Sequence, residues 1–219
     1  MKKALKFIIF KGITFSIPQT HLIAVSFISL LLTLAVGWYI AYIGMLRLLI
    51  LLLPAYFANM VAFLSSKIKL LNPLEKPVDF NLTWTDGRRV LGDSKTFRGF
   101  LSGIATAILV AYIIYLTTLT SSVAVYSSTD EALALGFIAG LGAITGDLVR
   151  SFFKRRIGLK TGETWFIFDD LDFVIGALLF LRFYVNFPIV FMVLTLIGSL
   201  TLRIFTDIFD FSFKLKKFY

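Results

Sequence analysis

Three aspartates stand close to basic residues in the second half of the chain, and carboxylates in such a setting can bind a hard cation. Asp147 and Lys154 are seven residues apart with Ser151 between them, so on a helix all three lie on one face. Asp169 and Asp172 are three residues apart and can share a face where the next apolar segment begins. Because magnesium takes oxygen ligands, often one or two carboxylates together with substrate phosphates, these aspartates predict a magnesium site.

A glycine-rich polar loop at residues 86–99 is the second feature that could do chemistry. It holds three glycines, two aspartates, four basic residues and two hydroxyls within 14 positions. Arginine forms forked hydrogen bonds with phosphate oxygens and lysine offers a compact charge, so the loop predicts a polyphosphate site. The P-loop pattern Gly-x-x-x-x-Gly-Lys-Ser/Thr is absent. The residues of these two features that could contact such a ligand are Arg88, Arg89, Asp93, Lys95, Thr96, Arg98, Lys154 and Arg155.

Each feature also has an interpretation that involves no catalysis. The aspartates could simply pair with Arg150, Lys154 and Arg155. The loop could be a solvated basic segment that only anchors the topology of a membrane protein. Anchoring accounts for the basic residues but not for Asp86 and Asp93 among them, so we favour a site built from both features.

Long apolar segments must position these residues, and they indicate a membrane protein. The chain is 58% hydrophobic and 16% charged, whereas soluble domains average about 45–50% and about 25%. A bilayer core about 30 Å thick needs about 20 apolar helical residues. The apolar segments show no period-two alternation, so they do not predict a β-barrel. Six helical spans are predicted, at residues 22–44, 48–66, 99–119, 132–149, 172–186 and 188–206.

The predicted fold is therefore an all-α, polytopic transmembrane bundle with two polar loops. Residues 4–17 are expected to form an interfacial helix before Pro18. The span at residues 132–149 is short, which places Asp147 in its last turn. The break near Pro188 makes residues 172–206 a helical hairpin, with a single kinked span as the alternative.

The distribution of basic residues predicts the orientation. The N-terminal tail, residues 67–98, residues 150–160 and the C-terminal end together hold 20 of the 22 Lys and Arg residues. With six spans these four regions fall on one side, which the positive-inside rule makes cytoplasmic. The chain has no cysteine, which excludes a disulfide framework and a cysteine-based zinc site.

Two motifs together resemble the CDP-archaeol synthase family, the CTP-dependent cytidylyltransferases of archaeal ether-lipid synthesis. The first is Pro73 followed by Asp86-Gly87-Arg88-Arg89-Val90-Leu91-Gly92-Asp93-x-Lys95-Thr96-x-Arg98-Gly99-Phe100. The second is Gly146-Asp147-x-x-x-Ser151-Phe152-x-Lys154-Arg155-Arg156 with Asp169-x-Leu171-Asp172-Phe173, and it also looks like the signature of CTP:phosphatidate cytidylyltransferases. The resemblance covers residues 46–219. It implies a catalytic domain of five family-core helices there, whereas residues 1–45 look like an added segment with one extra transmembrane helix.

The resemblance also implies a reaction and roles for individual residues. An oxygen of a di-isoprenyl glycerol phosphate would attack the α-phosphorus of CTP, with Mg²⁺ as cofactor, at the cytoplasmic face of an archaeal cell membrane. Asp147, Asp169 and Asp172 would bind the metal, and Lys95 would act with them in catalysis. Asp170 stands where the family has Gln, and residues 203–207 depart from its His-x-x-Thr-Asn pattern.

Three other functions remain to be weighed, and none involves nucleic acid. A CTP:phosphatidate cytidylyltransferase acting on ester lipid would need the same residues. A CDP-alcohol phosphotransferase needs Asp-Gly-x-x-Ala-Arg, whereas Asp86-Gly87 here continues to Val90-Leu91. A non-enzymatic anion or nucleotide carrier has little need of three acids beside an anion site.

Overall fold

The computed structural model describes residues 5–10, 13–17, 19–118, 120–121, 123–161, 163, 165 and 168–212, with only the backbone for 5–10, 13–17, 19–27 and 202–212. The chain divides into two compact units, Met1–Met45 and Leu46–Tyr219. Within the described ranges the strands are β1 (Leu5–Phe10) and β2 (Ile13–Ile17), and the α-helices are α1 (Gln19–Leu64), α2 (Phe97–Thr118), α3 (Thr129–Arg156), α4 (Phe168–Arg182) and α5 (Ile189–Ser212). Two short 3-10 helices, Ser65–Lys67 and Lys69–Leu74, follow α1.

A β-hairpin precedes α1, so the interfacial helix predicted for residues 4–17 is wrong. Strands β1 and β2 pair antiparallel, with Leu5 opposite Ile17 and Phe10 opposite Ile13. The two strands consist largely of Ile, Phe and Thr, which favour extended backbone over helix. These residue types, rather than the hydrophobicity of the segment, therefore indicate strands.

Helix α1 runs without a break through the position where the sequence analysis placed a turn. The predicted spans at residues 22–44 and 48–66 are parts of this one helix of 46 residues. Met45, Leu46 and Arg47 connect them, and all three are good helix formers, so nothing local reverses the chain. The structure thus describes these two predicted spans as parts of one helix, and the count of six spans stays a prediction.

The other predicted spans correspond to separate helices. Helices α2, α3, α4 and α5 overlap the predictions at residues 99–119, 132–149, 172–186 and 188–206, although α4 begins and ends four residues earlier than predicted. Because α4 and α5 are separate helices in contact with each other, the hairpin interpretation is confirmed. Helix α3 continues to Arg156, so Asp147 lies more than two turns before its end rather than in the last turn. Among the described residues, Ile28–Lys67, α2 and α3 are long and apolar enough to cross a membrane.

Helix α3 forms the centre of the second unit and packs against α2 on one side and α4 on the other. Small residues make both contacts close. A Cβ atom added to Gly136 would lie 2.7 Å from Ala111 Cβ of α2, and one added to Gly146 would lie 2.1 Å from the carbonyl oxygen of Asp172 in α4. Such small residues allow helix backbones to approach closely, as is common in membrane bundles. The polar face of α3 is thereby fixed against the start of α4.

Candidate active site

The guanidinium of Arg150 joins the three aspartates that the sequence analysis singled out. It hydrogen-bonds Asp147 Oδ1 one turn earlier on α3. Across the helix interface its Nη1 lies 2.7 Å from Asp169 Oδ1, and its Nε lies 2.9 Å from Asp172 Oδ2. All four side chains are largely buried. The structure therefore brings Asp147, Asp169 and Asp172 together around one cation of the chain itself.

Two lysines complete this cluster of charges. Lys95 of the glycine-rich loop places its Nζ 2.5 Å from Asp147 Oδ2. Lys154 places its Nζ 3.2 Å from both carboxylate oxygens of Asp169. Three aspartates and three basic residues thus form one network, called the acidic cluster below, which consists of Lys95, Asp147, Arg150, Lys154, Asp169 and Asp172.

A second group of basic residues surrounds a cavity of about 340 Å³ formed by the glycine-rich loop and the segment after α3. Its volume is within the range of small-molecule sites. Arg88 crosses to the far segment and donates to the carbonyl oxygens of Arg155 (3.2 Å) and Arg156 (2.7 Å). The cavity, called the basic cavity below, is lined by Arg88, Arg89, Gly92, Asp93, Arg155, Gly158, Leu159, Lys160 and Thr161.

Asp79 holds the glycine-rich loop in shape, and the sequence analysis missed it. Its side chain is 1% exposed and lies 2.7 Å from Arg89 Nη2. The backbone amides of Leu91 and Gly92 donate to its Oδ2 at 2.9 and 3.2 Å, and the amide of Asn81 donates to its Oδ1. Burial disfavours the charged carboxylate, but these hydrogen bonds outweigh burial and lower the pKa of Asp79 below its ordinary value.

Two predicted contact residues have other partners in the structure. Arg98 is 5% exposed, and it contacts Asn72 Oδ1 at 3.3 Å and Glu75 Oε1 at 3.4 Å. The hydroxyl of Thr96 accepts from the amide of Gly99 at 3.5 Å, at the start of α2. Both residues fix the beginning of α2, and their predicted contacts with nucleotide stay predictions. By contrast, the predicted residues Arg88, Arg89, Asp93 and Arg155 all line the basic cavity.

Arg150 and Arg156 contribute to the site, although their positions in the sequence predicted no role for either. Arg156 donates to the carbonyl oxygen of Arg89 at 2.5 Å, and its Nε lies 3.3 Å from Asp86 Oδ2, so it ties α3 to the loop. A run of consecutive basic residues at a helix end gave no sign of which member points inward. Lys160 and Thr161 were likewise missed because they follow the motif rather than belong to it.

The chemistry of the acidic cluster fits magnesium, although its present arrangement is that of an ion-pair network. Its ligands would be carboxylate oxygens, which a hard cation prefers. In the described part of the chain, however, no three Asp, Glu or His side chains are grouped so that they could hold a metal as they stand. One carboxylate oxygen, Asp172 Oδ2, is buried without a hydrogen bond and faces Arg150. A metal could therefore bind here once Arg150 moves aside.

The chain is similar to proteins of known name. A family model described as CarS-like CDP-archaeol synthase matches residues 39–219. CDP-archaeol synthases of Methanospirillum hungatei and Archaeoglobus fulgidus are each 40% identical, over 58% and 65% of this chain and 72% and 76% of their own lengths. The counterpart in Thermococcus onnurineus is 43% identical over 59% of this chain and 69% of its own length. A solved structure described as an intramembrane enzyme for archaeal membrane lipids biosynthesis is 30% identical, with a TM-score of 0.57 over 73% of this chain and 91% of its own.

Proposed function

The chain belongs to the CDP-archaeol synthase family and is a cytidylyltransferase of archaeal lipid biosynthesis, and we propose that the acidic cluster and the basic cavity form its nucleotide site. The observation that carries this proposal is the contact between Lys95 and Asp147. These residues belong to two motifs 52 positions apart in sequence, and they meet at 2.5 Å. The phosphate-binding loop and the carboxylates therefore act on one ligand.

The reaction joins a lipid phosphate to CMP. An oxygen of the lipid phosphate forms a bond to the α-phosphorus of CTP, and the bond from that phosphorus to the oxygen bridging to the β-phosphate breaks. The electron pair leaves with pyrophosphate. Because little covalent chemistry falls to the protein in such a transfer, its contribution is positioning and neutralisation of charge.

The residues of the site divide between these tasks. Lys95 and Lys154 lie beside the carboxylates and can exchange them for phosphate oxygens. Arg88, Arg89 and Arg155 line the basic cavity and suit the remaining phosphates or the nucleoside. Asp147, Asp169 and Asp172 would hold magnesium. The metal would supply neutralisation of the phosphate charge and of the leaving pyrophosphate.

The lipid substrate reaches the site from the bilayer. A site beside the ends of apolar helices can accept a phosphate head group while the chains remain in the membrane. This arrangement avoids the cost of bringing the chains into water, about 0.8 kcal/mol per CH₂. The same argument applies to ester-linked chains, so the preference for di-isoprenyl ether lipid rests on the family. We further propose that the site faces the cytoplasm, because the basic loops adjoin it and CTP is found there.

Pyrophosphate release tests the proposal. Purified protein with magnesium is expected to release pyrophosphate from CTP faster than from ATP, GTP or UTP when a di-isoprenyl glycerol phosphate is present. A reaction without lipid and one with phosphatidic acid are the controls. No release from CTP with any lipid phosphate would refute the enzymatic function. Release with phosphatidic acid alone would keep the mechanism and overturn the ether-lipid assignment.

A further inference from the structure

Arg150 lies where a cation bound by the three aspartates would lie. Its guanidinium contacts Asp147, Asp169 and Asp172, and with Lys95 and Lys154 it matches three negative charges with three positive ones. We propose that Arg150 is a resident counter-ion that excludes free divalent cations from the acidic cluster and gives way when the cation arrives with a nucleotide. This inference rests on the proposed function, and it concerns the order of binding at that site.

The balance of charge decides which form of the metal can enter. A free divalent cation meets a cluster that is already neutral, and to reach the carboxylates it must leave Arg150 buried without a partner. An unpaired buried charge is strongly unfavourable. A nucleotide brings several phosphate charges with the metal. The phosphates can pair with Arg150, Lys95 and Lys154 while the carboxylates take the cation, so every buried charge keeps a partner.

The contact with Asp172 shows that the guanidinium satisfies the cluster incompletely. The side chain of Asp172 is 5% exposed, and its Oδ1 accepts from the amide of Phe173 at 2.6 Å. Its Oδ2 lies 2.9 Å from Arg150 Nε. Neither of these two buried atoms forms a hydrogen bond, because the N–H group is not aligned with the oxygen. A carboxylate oxygen left in this state is available to a metal that displaces the guanidinium.

A purely structural role for Arg150, as a tie between α3 and α4, makes a different prediction. Loss of a structural tie lowers stability and weakens every ligand. Loss of a counter-ion removes one positive charge from the immediate surroundings of the metal and therefore strengthens its binding. The two roles are separated by the sign of the change in metal affinity, and unfolding cannot produce a gain.

The experiment is equilibrium dialysis of the purified full-length protein against Mn²⁺, with free Mn²⁺ measured by electron paramagnetic resonance. Labelled CTP is measured in the same chambers, and lipid phosphate is omitted so that no turnover occurs. The wild-type protein is expected to bind Mn²⁺ at least tenfold more tightly with CTP than without it. Arg150→Gln is expected to bind Mn²⁺ alone at least tenfold more tightly than the wild type does.

Two further variants make the result specific to the contacts of Arg150. Arg150→Lys keeps the charge but cannot contact three carboxylates at once, so its affinity for Mn²⁺ alone should lie between those of the wild type and Arg150→Gln. Arg182→Gln is the matched control, because Arg182 lies at the other end of α4 and contacts Asn186 at 2.7 Å. It should bind Mn²⁺ as the wild type does.

When CTP is retained, equal Mn²⁺ affinity of the wild type with and without it would overturn the counter-ion role, and so would an unchanged affinity for Mn²⁺ alone in Arg150→Gln. Failure of the proposed function gives a different pattern. In that case CTP is not retained by any variant. The Mn²⁺ affinities of the wild type and Arg150→Gln, measured without CTP, still decide whether Arg150 excludes free divalent cations from the acidic cluster.

Discussion

Asp147, Asp169 and Asp172 are each expected to be required for turnover. Replacing any of them by Asn removes a negative charge that would balance the metal and its bound phosphates, and we expect kcat to fall on the order of 100-fold. Asp170→Asn is the matched control. Asp170 neighbours Asp169 but lies about 100° further around α4. The measurement is the rate of pyrophosphate release with saturating CTP.

Equal losses in all four variants would show that the aspartates contribute only general charge or stability. A thermal melt of each variant must accompany the kinetics, since Asp169 also accepts from the amide of Trp165 at 2.9 Å. A variant that melts like the wild type but does not turn over supports the metal-binding role.

Asp79 is expected to stabilise the glycine-rich loop through its charge. Asp79→Asn should lower the free energy of unfolding by about 1.5–3 kcal/mol, the usual worth of hydrogen bonds to a charged group. Because folding lowers the pKa of Asp79 below 3.8, its stabilisation is fully present above that value. It is lost as the pH falls through the folded-state pKa. Denaturant unfolding at pH values from 7 to 3 measures both effects.

Asp93→Asn provides the comparison for this experiment. Asp93 is the other carboxylate partner of Arg89, at 2.6 Å, but its side chain is 77% exposed. An exposed ion pair contributes at most about 1 kcal/mol. If both variants lose the same stability, the burial of Asp79 is not what makes it important.

At the scale of elements, the site depends on how closely α4 lies against α3. A methyl group on Gly146 would lie 2.1 Å from the carbonyl oxygen of Asp172, and backbone cannot yield as a side chain can. Gly146→Ala is therefore expected to push α4 away, with a loss of about 1–3 kcal/mol in unfolding free energy and a marked loss of activity. In α5 an added methyl on Gly198 meets nothing within 4 Å, so Gly198→Ala should leave activity unchanged. Thermal melts and rates of pyrophosphate release, measured for Gly146→Ala and Gly198→Ala, test both expectations.

The elements that the sequence predicts well are those whose ends are marked by glycine, proline or charged residues. Glycine and charge mark the start of α2, and Asn186-Phe187-Pro188 separates α4 from α5. No proline separates the predicted spans at residues 22–44 and 48–66, and the structure describes both largely within α1. The hairpin of β1 and β2 was missed because a short apolar run has no periodicity that separates strand from interfacial helix.

The same contrast holds for the residues of the site. The motifs place Lys95 and the three aspartates in one predicted site, and the structure brings the four side chains together. Asp169 and Asp172 lie at the start of α4 and Lys95 precedes α2 by two residues, whereas Asp147 lies more than two turns before the end of α3. The central position of Arg150 could not be predicted, since it depends on the angle at which α3 and α4 cross. Asp79 has a local signal, the turn-forming Asp79-Phe80-Asn81 after Pro77, but its partners lie 10 to 13 residues further along the loop.

At the scale of the whole molecule, α2 connects two loops that lie on opposite sides of the membrane if this helix crosses it. Its 22 residues extend about 33 Å, which matches a hydrocarbon core about 30 Å thick. The loop that carries Lys95 precedes α2, and residues 120–131, which contain no Lys or Arg, follow it. This inference does not depend on whether α1 contains one span or two.

The orientation can be tested with single cysteines, because the natural chain contains none. Lys76 and Ser121 are exposed, and Lys76 adjoins the start of α2, where its carbonyl oxygen accepts from the amide of Phe97 at 2.9 Å. In sealed right-side-out vesicles, a membrane-impermeant maleimide added outside should label Ser121→Cys. Lys76→Cys should react only after the vesicles are opened, since the basic loops are retained on the cytoplasmic side. Labelling of both from the same side would mean that α2 does not cross the membrane, and the reversed pattern would place the nucleotide site on the outer face.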